Sequence, residues 1–370
     1  LPPATILVVD HGRLVVQWGD PAMRVKISSV RKSFLSALYG VYVREGRINL
    51  DQRLAQLGID DQPLLTDVEK QATVRSILQS RSGVYHGYVA GTPGMRAATP
   101  ARGSHAPGSF WYYNNWDFNV LGTVFEKLTA TGIADALRDR IAKPIGMEDY
   151  RPEDLYYQYS PPDAAEFARS THRAYPIRLT ARDMARFGYL FLRQGNWNGR
   201  QIVPREWVTE STRAHAKVGK NRYAEAGPAN PPTGECYANC WWVDGFGLPV
   251  KSSSARGAMA KYIVVIPDRD LVLVYQSHAE SPDDSSKLTP EEYAKLPAPT
   301  ASQIERIFNL PCRPSANLAE HVLHRQAYGS GVGTPHRPLL RQPRSRAHLP
   351  CGRRSAGNHQ GLPSRRSANA

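Results

Sequence analysis

Ser28-Ser29-Val30-Arg31-Lys32-Ser33-Phe34 is the stretch on which the reading of this chain turns. Ser29 and Lys32 stand three residues apart. If Ser29 opens a helix, positions i and i+3 share a face, so the Lys32 amine can reach the Ser29 hydroxyl and help take its proton. That arrangement arms a serine for covalent catalysis. The residues that follow support a helix: Phe34, Leu35, Leu38, Val41 and Tyr42 recur at intervals of three and four, and Gly46 stands where a C-terminal cap belongs. Ser29 then lies at the positive end of the helix, where backbone N–H groups stabilise a developing oxyanion. Serine and lysine are common, so the spacing needs a second motif beside it.

That motif lies in Phe110-Trp111-Tyr112-Tyr113-Asn114-Asn115-Trp116-Asp117-Phe118-Asn119-Val120-Leu121-Gly122, which contains Tyr-x-Asn. A phenol near the serine can accept a proton, with a lysine favouring its ionised form, and an asparagine amide can hold the lysine or a substrate carbonyl. Two frames fit, Tyr112 with Asn114 and Tyr113 with Asn115. Trp111, Tyr112, Trp116 and Phe118 read as packing residues or cleft wall. With these two motifs the chain resembles the serine β-lactamase and penicillin-binding superfamily, in particular the branch of class C β-lactamases, related esterases and 6-aminohexanoate-dimer hydrolases. In that branch the tyrosine element runs on into a helix beginning near a Leu-Gly pair, which selects Tyr113 and Asn115. The resemblance extends to Thr180–Leu192 and to Gly195–Pro204. There Thr180 and Asp183 read as a capping box ahead of the apolar stripe Met184, Phe187, Leu190 and Phe191. Arg182 and Asp183 are accordingly expected to be structural.

The resemblance implies a third element, a strand edge bearing Lys or His, then Gly two positions later, then a residue whose N–H completes the oxyanion site. Placing Tyr262–Val274 on the family's last strand pair puts Ala255-Arg256-Gly257 at that position, with Ala258 as the N–H donor. Gly257 is kept and the basic first residue is absent. Backbone donation does not depend on the side chain, whereas the lost cation commonly faces a substrate carboxylate. Ala260-Lys261 stands where many relatives carry Gly-Gln, and the added methyl is expected to crowd a tight strand approach. A second register, Lys251-Ser252-Ser253, lacks the glycine.

The chain has 370 residues, 41% of them apolar, enough for one large catalytic unit with a helical insertion. No apolar run nears the roughly 20 residues of a membrane span. Ala4–Val9 and the residues to Val16 read as a strand hairpin already inside a fold, and Leu1 is not Met, so a preceding segment is expected. The resemblance implies a helix and an export signal there, hence a periplasmic or secreted setting, though the chain itself leaves the compartment open. Among four cysteines, Cys236 and Cys240 are close together, but no further Cys or His completes a zinc set, so they are expected to be two thiols.

The expected fold is α/β (α+β) and β-lactamase/transpeptidase-like, with an antiparallel sheet built from both chain ends and a large helical part from about residue 45 to 230. Ser29, Lys32, Tyr113 and the Ala258 N–H should converge between them. Tyr85, His86, Tyr88, Trp241 and Trp242 are candidates to line the entrance, and Gly257, Arg256, Tyr85 and Trp242 for substrate contact. Segments 217–233 and 278–300 read as surface loops. Residues 1–310 form the expected hydrolase domain. From 311 to 370 there are ten arginines, no lysine and one acid, Glu320, so nine of the chain's fourteen net positive charges lie in a Ser-, Pro- and Gly-rich tail expected to be disordered. No aromatic stacking set accompanies the arginines, so no specific nucleic-acid partner is expected. The resemblance implies a serine hydrolase acting through an acyl-enzyme on a small ester, amide or peptide, with no metal or organic cofactor. Without a basic residue at 255, an esterase or amidase is expected ahead of a β-lactamase or D-amino-acid peptidase. The competing class is a catalytically silent, penicillin-binding-like recognition protein. Acyl group, leaving group and oligomeric state are not legible.

Overall fold

The computed structural model describes residues 3–219, 235–246, 248, 250–280, 288, 289, 291, 292 and 295, all within one compact unit. The Arg-rich tail and most of the two expected surface loops lie outside the described residues. Short runs rich in Val, Ile and Leu make the strands, as β-branched side chains fit a pleated surface. In chain order these are β1 (Ala4–Asp10), β2 (Arg13–Trp18), β3 (Val25–Lys26), β4 (Arg178–Leu179), β5 (Asn196–Trp197), β6 (Arg200–Gln201), β7 (Ala216–Lys217), β8 (Cys236–Tyr237), β9 (Trp242–Val243), β10 (Ser253–Gly257), β11 (Lys261–Ile266) and β12 (Leu271–Ser277). The main sheet runs β2-β1-β12-β11-β10-β9-β8-β7. Its mapped pairings are antiparallel, with Ala4 opposite Ser277 and Lys261 opposite Gln276. The sheet is thus assembled from both ends of the described chain.

Both faces of this sheet are covered, and the two-residue period of a strand divides the side chains between them. Leu7, Val9, Ala255, Ile263, Val265, Val272 and Val274 join the main core, while Val8, Val16, Val264, Ile266, Leu273 and Tyr275 form a smaller cluster on the other side. The helices are α1 (Arg31–Arg44), α2 (Leu54–Leu57), α3 (Val74–Leu78), α4 (Pro93–Ala97), α5 (Asn115–Thr129), α6 (Ile133–Leu137), α7 (Ala181–Leu192) and α8 (Arg205–Ser211). Helix α7 lies on β1, β11 and β12. Gly188 permits the approach: a Cβ there would come within 2.6 Å of a Val272 methyl and 2.7 Å of an Ile263 methyl.

Helix α1 differs from the one-sided helix its apolar spacing predicts, since every residue from Arg31 to Tyr42 is buried. The reason is its place between the sheet and the helical part, in contact with α5, α6, α8 and β10. Ser33 and Ser36 keep their hydroxyls satisfied by donating to the carbonyls of Cys240 and Asn239, each at 2.8 Å. The segment carrying Lys32 is therefore fixed on all sides.

The predicted capping box at Thr180 forms only by half. Thr180 Oγ1 accepts from the Asp183 N–H at 3.3 Å, but the Asp183 carboxylate turns to the neighbouring loop and accepts from the N–H groups of Glu148, Asp149 and Tyr150. Arg182 pairs with Asp149 and Glu148, so both residues are structural, as expected. Asp183→Ala should strand those three donors and lower stability by about 2–4 kcal/mol, read as a reduced urea midpoint. A change under about 0.5 kcal/mol would count against this bracing role.

Helix α5 ends on Ala130, an exposed residue at φ +48°, a conformation that disfavours a Cβ and favours glycine. Ala130→Gly should stabilise the fold by about 0.5–1 kcal/mol with activity unchanged. A lower melting temperature would contradict the prediction.

Candidate active site

The nucleophile candidate does not start an α-helix, as its sequence suggests. Ser28–Val30 form a separate 3-10 turn and α1 begins at Arg31. Ser28 adopts φ +50°, an uncommon conformation for a residue with a side chain and one that structures retain only where their surroundings impose it. Those surroundings are visible: the Ile27 N–H donates to the Ile177 carbonyl at 3.0 Å, and the end of β10 presses on the same turn. A Cβ at Gly257 would collide with the Ile27 carbonyl oxygen and reach within 3.2 Å of the Ser28 Cβ. Ser29 is left half-buried.

The predicted reach of Lys32 is present. Its Nζ lies 2.9 Å from Ser29 Oγ, 2.8 Å from the Tyr113 hydroxyl and 2.7 Å from Asn115 Oδ1. The structure also separates the two Tyr-x-Asn frames. Tyr112 points elsewhere, with its hydroxyl bonded to the Met95 carbonyl, Tyr88 and Thr99. Asn114 is the N-cap of α5: its Oδ1 accepts from the Trp116 N–H, while its Nδ2 donates to the Val84 carbonyl and to Asp117. Asn115 is the first residue of α5, and its Nδ2 donates to the Ala90 carbonyl at 2.6 Å, which fixes the oxygen that faces Lys32. Trp242 stacks on Tyr113 with centroids 5.3 Å apart, and Tyr237 meets that ring edge-on.

The third element takes the Ala255-Arg256-Gly257 register, since Gly257 is the end of β10 that touches the nucleophile turn and Lys251 lies exposed before the strand's other end. Ala258, half-buried, follows Gly257 in the turn to β11. The Ala260 methyl packs in the smaller core cluster, and the residue adopts φ +57°, a conformation in which a Cβ is disfavoured and glycine favoured. Lys261 is fully buried and its Nζ donates to the carbonyls of Met259 and Ala279, bracing the same turn. Burial lowers its pKa to about 7.

Other predicted contacts fall differently. Arg256 shares a strand face with Ser254, donates to its hydroxyl at 2.8 Å and pairs with Glu235, beneath Phe246. Its charge is answered inside the protein, which leaves the suggested substrate contact without support. Tyr85 packs edge-on against Tyr112 and His105, His86 sits near Asp61, and Tyr88 bonds Tyr112. All three are interior residues, as is Trp241. Cys236 and Cys240 are free of disulfides, and the described residues hold no His/Cys/Asp/Glu group fit for a metal ion. No helix among them is long and apolar enough to cross a membrane.

The electrostatics of the site act against the charged form of Lys32. Burial lowers the Lys32 pKa well below its ordinary value, and the adjacent Arg31 lowers it further, against a smaller opposing effect of Cys240. The Tyr113 and Phe118 rings, centred 4.3 and 4.2 Å from Nζ, would repay an ammonium by about 0.5–2 kcal/mol. Taking that ion out of water costs several kcal/mol, which acts in the opposite direction. The buried Asp117 bonds Ser82 and Asn114, and burial raises its pKa well above the usual carboxylate range. Sequence reasoning gave Arg31 no role; its place beside Lys32 was the available signal.

This fold and this serine-lysine-tyrosine cluster define a β-lactamase/transpeptidase-like protein. The family model named Beta-lactamase matches residues 1–296, and the chain belongs to that family. Among solved structures it is similar to a putative 6-aminohexanoate-dimer hydrolase from Bacillus anthracis, at 20% identity and TM-score 0.56, covering 84% of this chain and 80% of that one. It is also similar to a β-lactamase from Mycobacterium bovis, at 19% identity and TM-score 0.51 over 80% and 93% of the two chains. A D-stereospecific amidohydrolase from a Streptomyces species shows 21% identity and TM-score 0.51 over 77% and 92%.

Proposed function

We propose that this protein is a serine hydrolase that cleaves a small ester or amide through an acyl-enzyme. The observation that supports this is the single Lys32 nitrogen within hydrogen-bond reach of Ser29, Tyr113 and Asn115 together. Ser29 Oγ attacks the carbonyl while Lys32 and Tyr113 handle its proton, and Asn115 orients the amine. The N–H groups of Ser29 and Ala258 stabilise the oxyanion. Collapse expels the alcohol or amine with a returned proton, and water then releases the acyl group. Ala255 offers no cation for a β-lactam carboxylate, which favours simple esters and amides over penicillins and D-amino-acid peptides.

Intact-mass spectrometry after brief exposure to a fluorophosphonate tests the reading, followed by a panel of esters, amides and β-lactams. One adduct per chain with ester or amide turnover is the expected result. A folded protein that takes no adduct would instead support the silent recognition protein that the altered third element suggests.

A further inference from the structure

The two N–H groups proposed for the oxyanion belong to distant parts of the chain. Ser29 lies in the turn that follows β3, and Ala258 in the turn between β10 and β11. Donors on separate segments act together only where one segment is fixed against the other. Besides the contact at Gly257, a run of hydrogen bonds links the two, and it starts at Lys261.

Lys261 pairs with Gly257 on one side and with Gln276 on the other. The alternation of β11 sends its side chain to the face that Ile263 and Val265 share with the main core, where it is wholly buried. Its Nζ donates to the Met259 carbonyl at 3.2 Å and to the Ala279 carbonyl. The first bond closes on the turn that carries Ala258. In that turn Met259 and Ala260 both hold left-handed conformations, φ +59° and +57°, which residues with a Cβ adopt at a cost. The second bond reaches the segment that leaves β12. One residue further on, the Glu280 carboxylate accepts from the Lys26 N–H at 2.9 Å and from the Arg178 guanidinium at 2.7 and 2.8 Å. Lys26 and Arg178 face each other in the β3–β4 ribbon, and that ribbon runs directly into the turn at Ser28–Val30.

We infer that Lys261 is a positioning residue for the oxyanion site: through Ala279 and Glu280 it ties the β10–β11 turn to the ribbon that delivers the nucleophile turn, and so holds the Ala258 N–H in register with that of Ser29. The inference rests on the proposed serine hydrolase and adds what sets the spacing of its two donors. Hydrogen-bond capacity agrees. An ammonium has three N–H donors and a neutral amine two, so either form of Lys261 serves both carbonyls and the tie does not depend on its titration. Being wholly buried, Lys261 acts on a substrate only through the turn.

The test uses the full chain with Lys261→Met, Lys261→Gln, Glu280→Ala and the double variant of Lys261→Met with Glu280→Ala. It reads the fluorophosphonate labelling rate, the inhibition constant of an arylboronic acid whose tetrahedral adduct sets an oxygen between the two N–H groups, and amide hydrogen exchange by mass spectrometry. In Lys261→Met labelling should slow by about 10–100-fold, less than the loss of a donor outright, and boronate affinity should fall by the same factor. Lys261→Gln, which keeps two N–H donors, should recover part of both. Exchange should quicken at 258–260 and at 26–30 together. Since Lys261 and Glu280 belong to one link, the double variant should be little worse than the more damaged single variant. Unchanged labelling in folded Lys261→Met would overturn the inference, as would slowed labelling with boronate affinity unmoved. Losses that multiply in the double variant would do the same, because independent faults add in free energy. A wild type that takes no label, yet whose exchange at 26–30 quickens in Lys261→Met, would refute the hydrolase reading and leave the tie in place. Should Lys261→Met fail to fold, Lys261→Gln and Glu280→Ala still distinguish these results.

Discussion

Ser29→Ala is expected to abolish fluorophosphonate labelling and to cut ester or amide turnover by at least about 10⁴-fold. The effect is large because in the proposed mechanism the hydroxyl is the bond-forming group and its neighbours act through it. Lys32, Tyr113 and Asn115 would keep one another as partners in the variant, so the fold should lose little. The small change in volume at a half-buried site predicts a stability loss of about 1 kcal/mol or less. That combination, silent chemistry in a stable protein, separates a nucleophile from a structural serine. Turnover retained within about tenfold of wild type would remove Ser29 from the mechanism, and an adduct mapped to another serine would do the same.

Gly257→Val should be nearly as damaging, for a reason that involves no lost functional group. The end of β10 meets the Ile27 carbonyl and the Ser28 Cβ, atoms that no side-chain rotation can move away. Any side chain at 257 must therefore push the strand off the nucleophile turn. The Ala258 N–H moves with it, and losing one oxyanion donor costs about 10²–10³ in rate. Labelling should slow by that order, with β11 and β12 still paired as judged by amide exchange. A Gly257→Val protein labelled at the wild-type rate would show that the strand end does not form the site.

Much of this was legible before any coordinates. The strand hairpin at the start and the helix after Ser29 declare themselves through β-branched runs and apolar spacing, local signals that need no partner, while the strand pair at Tyr262–Val274 was read through the resemblance. The serine-to-lysine reach was legible too, because one helical turn fixes it. The tyrosine frame was chosen through the resemblance, by the distance to the Leu-Gly pair; the residues themselves do not separate Tyr112 from Tyr113, since it is tertiary contact that brings one to Thr99 and the other to Lys32. Asp183 follows the same logic. Its capping position is local, whereas the three N–H groups it accepts from lie over thirty residues away. Arg31 was hidden by habit, since arginine on a helix normally reads as surface. Arg256 and Tyr85 carried no signal of the neighbours that occupy them.

The place of β12 between β1 and β11 has a consequence in time. On the ribosome, β1 and β2 emerge first, and only the seven residues Leu271–Ser277 can join their hairpin to the rest of the sheet. The β1–β2 hairpin must therefore wait for the more than two hundred and fifty residues between Trp18 and Leu271, and the turn at Ser28–Val30 waits for Gly257 to arrive. Contacts of such long sequence separation make folding slow and leave open strand edges exposed to other chains. Synthesis that stops short of Leu271 would leave the β1–β2 hairpin without the strand that ties it to β11.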